Sequence, residues 1–210
     1  MTLDHAGKIV LPELYVPTHL VGRIAYPIFA GIIGWRLALS PHLARHYLSW
    51  LLPWAIVSQP AFVLAGRRWS EGNIFFTLAL GIVAWLSWRA AREGRWWRAA
   101  ALLVIAGAGG GYVEYGWAGV AMLAATGVLA ERSPPLALNL VGPLGVLANF
   151  VPTSPHFDAM DLAALAATGV VWISWAAGDW IPRSPRTFFY AYYPSHLLAL
   201  HCIDVYLLQP

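Results

Sequence analysis

The chain has 210 residues, of which 59% are hydrophobic and 11% charged, with a formal net charge of +3. Ordinary soluble domains carry about 25% charged residues, so the composition is that of a membrane protein. The mild positive charge, spread through loops, does not suggest a nucleic-acid-binding surface, and the single cysteine, Cys202, excludes an internal disulfide.

Residues 1–12 read as the end of a helix, and Pro12 and Pro17 break the chain after it. No cleavable signal peptide is expected, because a charged n-region and an A-x-A-like site are both missing. Runs of roughly 17–25 apolar residues can cross a bilayer. Spans are therefore expected near Leu20–Leu39, Tyr47–Ala65, Asn73–Trp88, Ala99–Gly110, Tyr112–Ala130, Pro134–Phe150, Ala159–Ala177 and Phe188–Leu208. The expected fold is all-α: a polytopic transmembrane helical bundle of about eight spans plus a short amino-terminal helical piece, with residues 1–210 as one domain. Ala99–Gly110 is the weakest span, being short and ending in Gly109-Gly110-Gly111. If it does not cross, everything downstream is inverted. Twelve tryptophans and nine tyrosines suit a chain with two membrane–water interfaces to mark.

Alternating these spans sorts the 13 basic residues nine to four. Arg36, Arg45, Arg89, Arg92, Arg95, Arg98, Arg132, Arg183 and Arg186 fall on one side, and Lys8, Arg23, Arg67 and Arg68 on the other. The positive-inside rule makes the nine-residue side cytoplasmic. Asp4, His5, the Glu71–Asn73 loop, Glu114, His156 and Asp158 then lie at the opposite face. The Arg89–Arg98 cluster, with Arg92 and Arg95 inside it, either docks the phosphates of a nucleotide-like donor or is plain topology signal.

Ionisable groups at membrane depth are costly and usually face a cavity or a partner. Arg23, Glu71, Asn73, Glu114, His196 and Asp204 are among the polar residues within or beside the spans, and Pro27, Pro53, Pro60, Pro143 and Pro194 interrupt the same helices. Freed backbone carbonyls are tolerated only inside a bundle or along a wet cavity. A cavity with converging polar groups is expected, which suits an enzyme or a transporter. His19, His42, His46 and His201 lack converging carboxylates, so no metal site is expected.

The stretches LDHAGKI, GRIAYPIF, EGNIFFTLALG, YGWAG and FFYAYYPSHLLAL occur in the order and at the approximate spacing of the TraX family. The chain resembles that family over nearly its whole length, from Leu3 to Leu200. The resemblance implies an inner-membrane acyltransferase of plasmid conjugation, moving acetyl from acetyl-CoA to the amino terminus of processed pilin. It maps the Asp-His pair to Asp4 and His5, the arginine before the aromatic-proline pair to Arg23, with Tyr26 beside it, and the EGN turn to Glu71 and Asn73. The histidine near the carboxyl end maps to His196.

Acetylating an amine needs a base, an electrophile and stabilisation of the tetrahedral intermediate. An α-amino group has a pKa of about 7.7–8.0 and histidine about 6.5, so a histidine can accept the proton shed as the amine attacks. His5 is the expected base. Neighbours on a helix point about 100° apart, so Asp4 is expected to pair with Arg23, leaving Glu71, Glu114 and backbone carbonyls as partners for His5. Asn73 is a candidate oxyanion donor, or else an ordinary helix N-cap. The remaining expected substrate contacts are Arg23, Tyr26, Glu114, His196, Arg92 and Arg95. Expected partners are conjugative pilin and membrane lipid, and the expected location is the bacterial inner membrane, multi-pass. Two alternatives stay open: pilin cyclisation with the pilin as its own acyl donor, and a non-enzymatic transporter or pilin-assembly protein.

Overall fold

The computed structural model describes residues 2–10, 12–14, 18, 22, 24–149, 166–170, 173 and 186–208. These residues form helices α1 (Thr2–Ile9), α2 (Ala25–Leu39), α3 (Leu43–Leu64), α4 (Ile74–Arg92), α5 (Trp96–Gly110), α6 (Gly116–Arg132), α7 (Pro134–Asn149) and α8 (Arg186–Ile203). A 3₁₀ turn spans Pro12–Leu14, and a π-helical turn, Asp204–Leu208, extends α8. Residues 166–170 and 173 are helical. The rest of the expected span Ala159–Ala177 lies outside the described residues, as do Arg23, His156, Asp158 and Arg183. Among the described residues the extended backbone is one isolated bridge, between Gly72 and Val113. The all-α expectation holds.

The centre of the bundle is the pair α4 and α6. Helix α4 packs on α3, α5 and α6, while α6 also packs on α2 and α7. Apolar helices with no strong amphipathic stripe need some other device to choose partners, and small residues supply it. A Cβ on Gly34 would lie 2.8 Å from the Leu123 carbonyl oxygen and 2.9 Å from the Gly127 nitrogen. Those are backbone atoms that cannot yield, so only glycine lets α2 sit this close to α6. Around that crossing Leu37, Phe75, Leu78, Ile82, Trp85 and Leu123 are fully buried.

Among the described residues two helices, α3 and α4, are long and apolar enough to cross a membrane. Eight complete crossings are not established, because α2, α5, α6 and α7 have 15–17 residues each. At about 1.5 Å rise per residue each is shorter than the roughly 30 Å hydrocarbon core. The burial of α3 is informative. Only 28% of its apolar window is buried, and Leu52, Ile56, Val57 and Leu64 are exposed. Water would penalise such a face, whereas lipid tails accept it.

The expected alternation of direction holds from α2 to α7. Even the weak segment 99–110 forms a helix antiparallel to α4: the Ser87 hydroxyl donates to the Ala99 carbonyl at 2.7 Å at one end. At the other end Gly72 N–H donates to the Tyr112 carbonyl at 2.6 Å, and Glu114 N–H to the Gly72 carbonyl at 2.9 Å. One end of the bundle therefore gathers Glu71, Asn73, Glu114 and Tyr26, and the other Arg89, Arg92, Glu93, Arg95 and Glu131.

Candidate active site

The loop between α3 and α4 is held by a polar knot in an apolar setting. Asn73 is fully buried and N-caps α4, its Oδ1 accepting from Phe75 N–H at 3.0 Å. Its Nδ2 donates to the Ala55 carbonyl at 2.7 Å and to Gln59 Oε1 at 2.9 Å. Gln59 in turn donates from Nε2 to the Glu71 carbonyl at 2.7 Å. Both amide protons of Asn73 are thus spent on α3. Serving as an oxyanion donor would require Asn73 to leave these partners.

Arg67 lies between the two glutamates of this end. Its guanidinium is 3.5 Å from Glu71 Oε1 and 3.8 Å from Glu114 Oε1, and it rests over the Phe62 ring. The Gly72–Val113 bridge is what brings the two carboxylates together, since they are far apart in sequence. Next to Glu114, Tyr115 stacks on Tyr26 with centroids 3.9 Å apart, and the buried Tyr26 hydroxyl donates to the Gly119 carbonyl at 2.7 Å. A Cβ on Gly119 would fall 3.0 Å from that hydroxyl.

The two histidines meet at the same end. Helix α1 packs on α8, and there the buried rings of His5 and His196 approach to 5.5 Å between centroids. His196 is stacked on Tyr192 one turn before it and meets Tyr193 edge-on. His196 Nδ1 lies 3.0 Å from the Tyr192 carbonyl. A carbonyl only accepts, so Nδ1 carries the proton and the lone pair of the neutral ring sits on Nε2. That Nε2 is buried and has no hydrogen-bond partner among the described residues. Tyr193 joins the clusters: it packs on Phe75, and its hydroxyl is within electrostatic reach of Glu114 and Arg67.

Of the residues singled out in the sequence, His5, His196, Tyr26, Glu71, Asn73 and Glu114 therefore share one end of the bundle. The pairing expected of Asp4 with Arg23 falls outside the described residues, Asp4 being placed only as a position of α1. Arg92 and Arg95 are at the far end, and each is ion-paired. Arg92 Nη1 is 3.2 Å from Glu131 Oε2, and Arg95 pairs with Glu93. A polar recess of about 200 Å³ lies among Arg89, Arg92, Glu93 and Glu131, and an apolar one of about 440 Å³ between α4 and α5. Neither reaches His5. Sequence reasoning missed Gln59, Arg67 and Tyr192. The last was detectable, since an aromatic four residues before a helical histidine must lie against it.

The site's residues lie along the whole chain, from α1 to α8, and so does the match to known proteins. Residues 1–204 match the family described as TraX protein. The chain belongs to the TraX family. It is 36% identical over 210 residues to Protein TraX of Escherichia coli, covering 95% of this chain and 81% of that one. To Protein TraX of Escherichia coli strain K12 it is 35% identical over the same length, with the same coverage. No solved structure matches. The LDHAGKI and YYPSHLL stretches of this chain put His5 and His196 ring to ring.

Proposed function

We propose that this TraX-family chain is a multi-pass inner-membrane acyltransferase that acetylates the amino terminus of conjugative pilin, with acetyl-CoA as donor. The observation that carries the reading is the buried His5–His196 pair at the end of the bundle that the positive-inside rule turns away from the cytoplasm. The pilin amine attacks the thioester carbonyl carbon. Its nitrogen gives up a proton to His5, with the free Nε2 of His196 as the second acceptor in reach, and the C–S bond breaks to release CoA, which takes the proton as its thiol. Glu71 and Glu114 supply negative charge for an ammonium terminus, and Tyr26, stacked on Tyr115 beside Glu114, lies next to them. In this reading Asn73 positions α4.

Acetyl-CoA approaches from the arginine end, and its thioester arm has to pass through the bundle to meet His5. Arg92 and Arg95 keep their glutamates there, and the surplus of arginines raises the local concentration of an anionic donor by its field. The test is the intact mass of mature pilin from cells with and without the gene, alongside equilibrium binding of CoA to the purified protein. Loss of one acetyl mass in the deletion, with salt-sensitive CoA binding, is the expected result. Unmodified mass differences matching loss of water, without CoA binding, would replace acetylation by cyclisation.

A further inference from the structure

The larger recess lies outside the histidine end and has a chemistry of its own. Ala84 and Ala91 of α4 face Ala99 and Ala100 of α5, and these small side chains leave a gap of about 440 Å³ walled by Trp88, Trp96 and Leu103. The one hydroxyl in its lining, Ser87, is spent on the Ala99 carbonyl. A polar guest such as the amide-bearing arm of CoA would be stranded there, because buried amides without partners are costly. Trp96 and Leu103 are exposed, as are Val104 and Ile105 beyond them, so the gap opens sideways along an apolar flank of α5.

Its rim is cationic. The Arg92 guanidinium lies 4.9 Å over the ring of Trp88, which walls the gap. Arg95 immediately precedes Trp96 and leaves the first turn of α5 without a side-chain cap, so backbone N–H groups point outward beside it. Arg89, Arg92, Arg95 and Arg98 together outnumber Glu93 and Glu131 at this end.

We infer that the α4–α5 groove binds an anionic phospholipid of the adjacent leaflet, one acyl chain in the gap and the phosphate against Arg95, Arg92 and the start of α5. The inference rests on membrane placement of α4 and α5 and not on acyl transfer. Native mass spectrometry of the purified full chain, titrated with phosphatidylglycerol or phosphatidylcholine of matched chains, tests it. Phosphatidylglycerol is expected to be retained in preference, and Arg95→Gln to weaken it by about fivefold, as for one basic residue at a charged lipid surface. Ala100→Leu, at an exposed position that leaves the fold intact, fills the gap and is expected to weaken both lipids. Retention by that variant equal to wild type, or no preference for the anionic headgroup, would each overturn the assignment. His5→Ala is expected to retain lipid as wild type does, whatever happens to pilin.

Discussion

His5 and His196 lie 5.5 Å apart, centroid to centroid, although they are 191 positions apart in the chain. Two imidazoles this close, both buried, would repel as cations, so the arrangement favours at most one positive charge on the pair. With Nδ1 of His196 held by the Tyr192 carbonyl, the lone pair of its neutral ring sits on Nε2. A pair in that state is ready to take a proton from an amine.

His5→Gln and His196→Gln keep a polar side chain and lose the basic nitrogen. Pilin modification by His5→Gln is expected to fall by ~10²–10⁴-fold, the range for a removed base, with membrane accumulation unchanged. His196→Gln is expected to fall less, since it acts on the same proton at one remove. Mature pilin of fully modified mass from the His5→Gln strain would refute His5 as the base.

Asn73 tests positioning against chemistry. Asn73→Asp keeps an oxygen for Phe75 N–H but replaces the donor to Ala55 and Gln59 by an acceptor. Losing both side-chain donations and setting a carboxylate against the Ala55 and Gln59 oxygens is expected to cost about 2–4 kcal/mol, read as a lower melting temperature in detergent. Asn73→Ala is expected to lose about a further 1 kcal/mol with the cap. An Asn73→Asp protein that melts like wild type yet leaves pilin unmodified would restore the oxyanion role.

The N-cap was open to view in the sequence, because Asn after Gly and before a long apolar run is a helix start on its own merits. So was the alternation of helices, down to the weak α5, since each turn carries Gly, Pro or charged punctuation. The tether was not. A single Gln59 inside an apolar helix leaves no periodic signal, and its partners are 12 and 14 residues away. Arg67 could be read only as topology until the Gly72–Val113 bridge placed Glu114 beside it. Likewise the meeting of His5 with His196 depends on α1 docking on α8, which no local pattern encodes.

Arg67 should behave as the shared cation of two carboxylates. Glu71 is partly exposed and Glu114 mostly buried, so the cost of Arg67→Gln falls between exposed and buried pairs, roughly 1–3 kcal/mol. Adding Glu114→Gln removes the stranded charge. The double variant is expected to be more stable than the sum of the two single losses. Strict additivity in melting experiments would mean that Arg67 and Glu114 act independently.

The two ends of the bundle also make a prediction about sidedness. Helix α4 starts beside Glu71, Asn73 and the histidines and ends among Arg89, Arg92 and Arg95. The positive-inside rule puts its carboxyl end in the cytoplasm. Cys202 is the single cysteine, so Cys202→Ser gives a background in which one thiol can be placed at will. Ser70→Cys, exposed ahead of α4, is expected to react with a membrane-impermeant maleimide in cells with a permeabilised outer membrane. Glu93→Cys, exposed after α4, is expected to react only after the inner membrane is opened. Ser133→Cys, following α6 on the arginine end, is expected to match Glu93→Cys, because α5 and α6 each reverse direction. The opposite pattern would invert the orientation and bring the histidine pair to the side where CoA is found. Labelling of Ser70→Cys and Glu93→Cys from one side alone would show that α4 does not cross, and the apolar face of α3 would then need a protein partner in place of lipid.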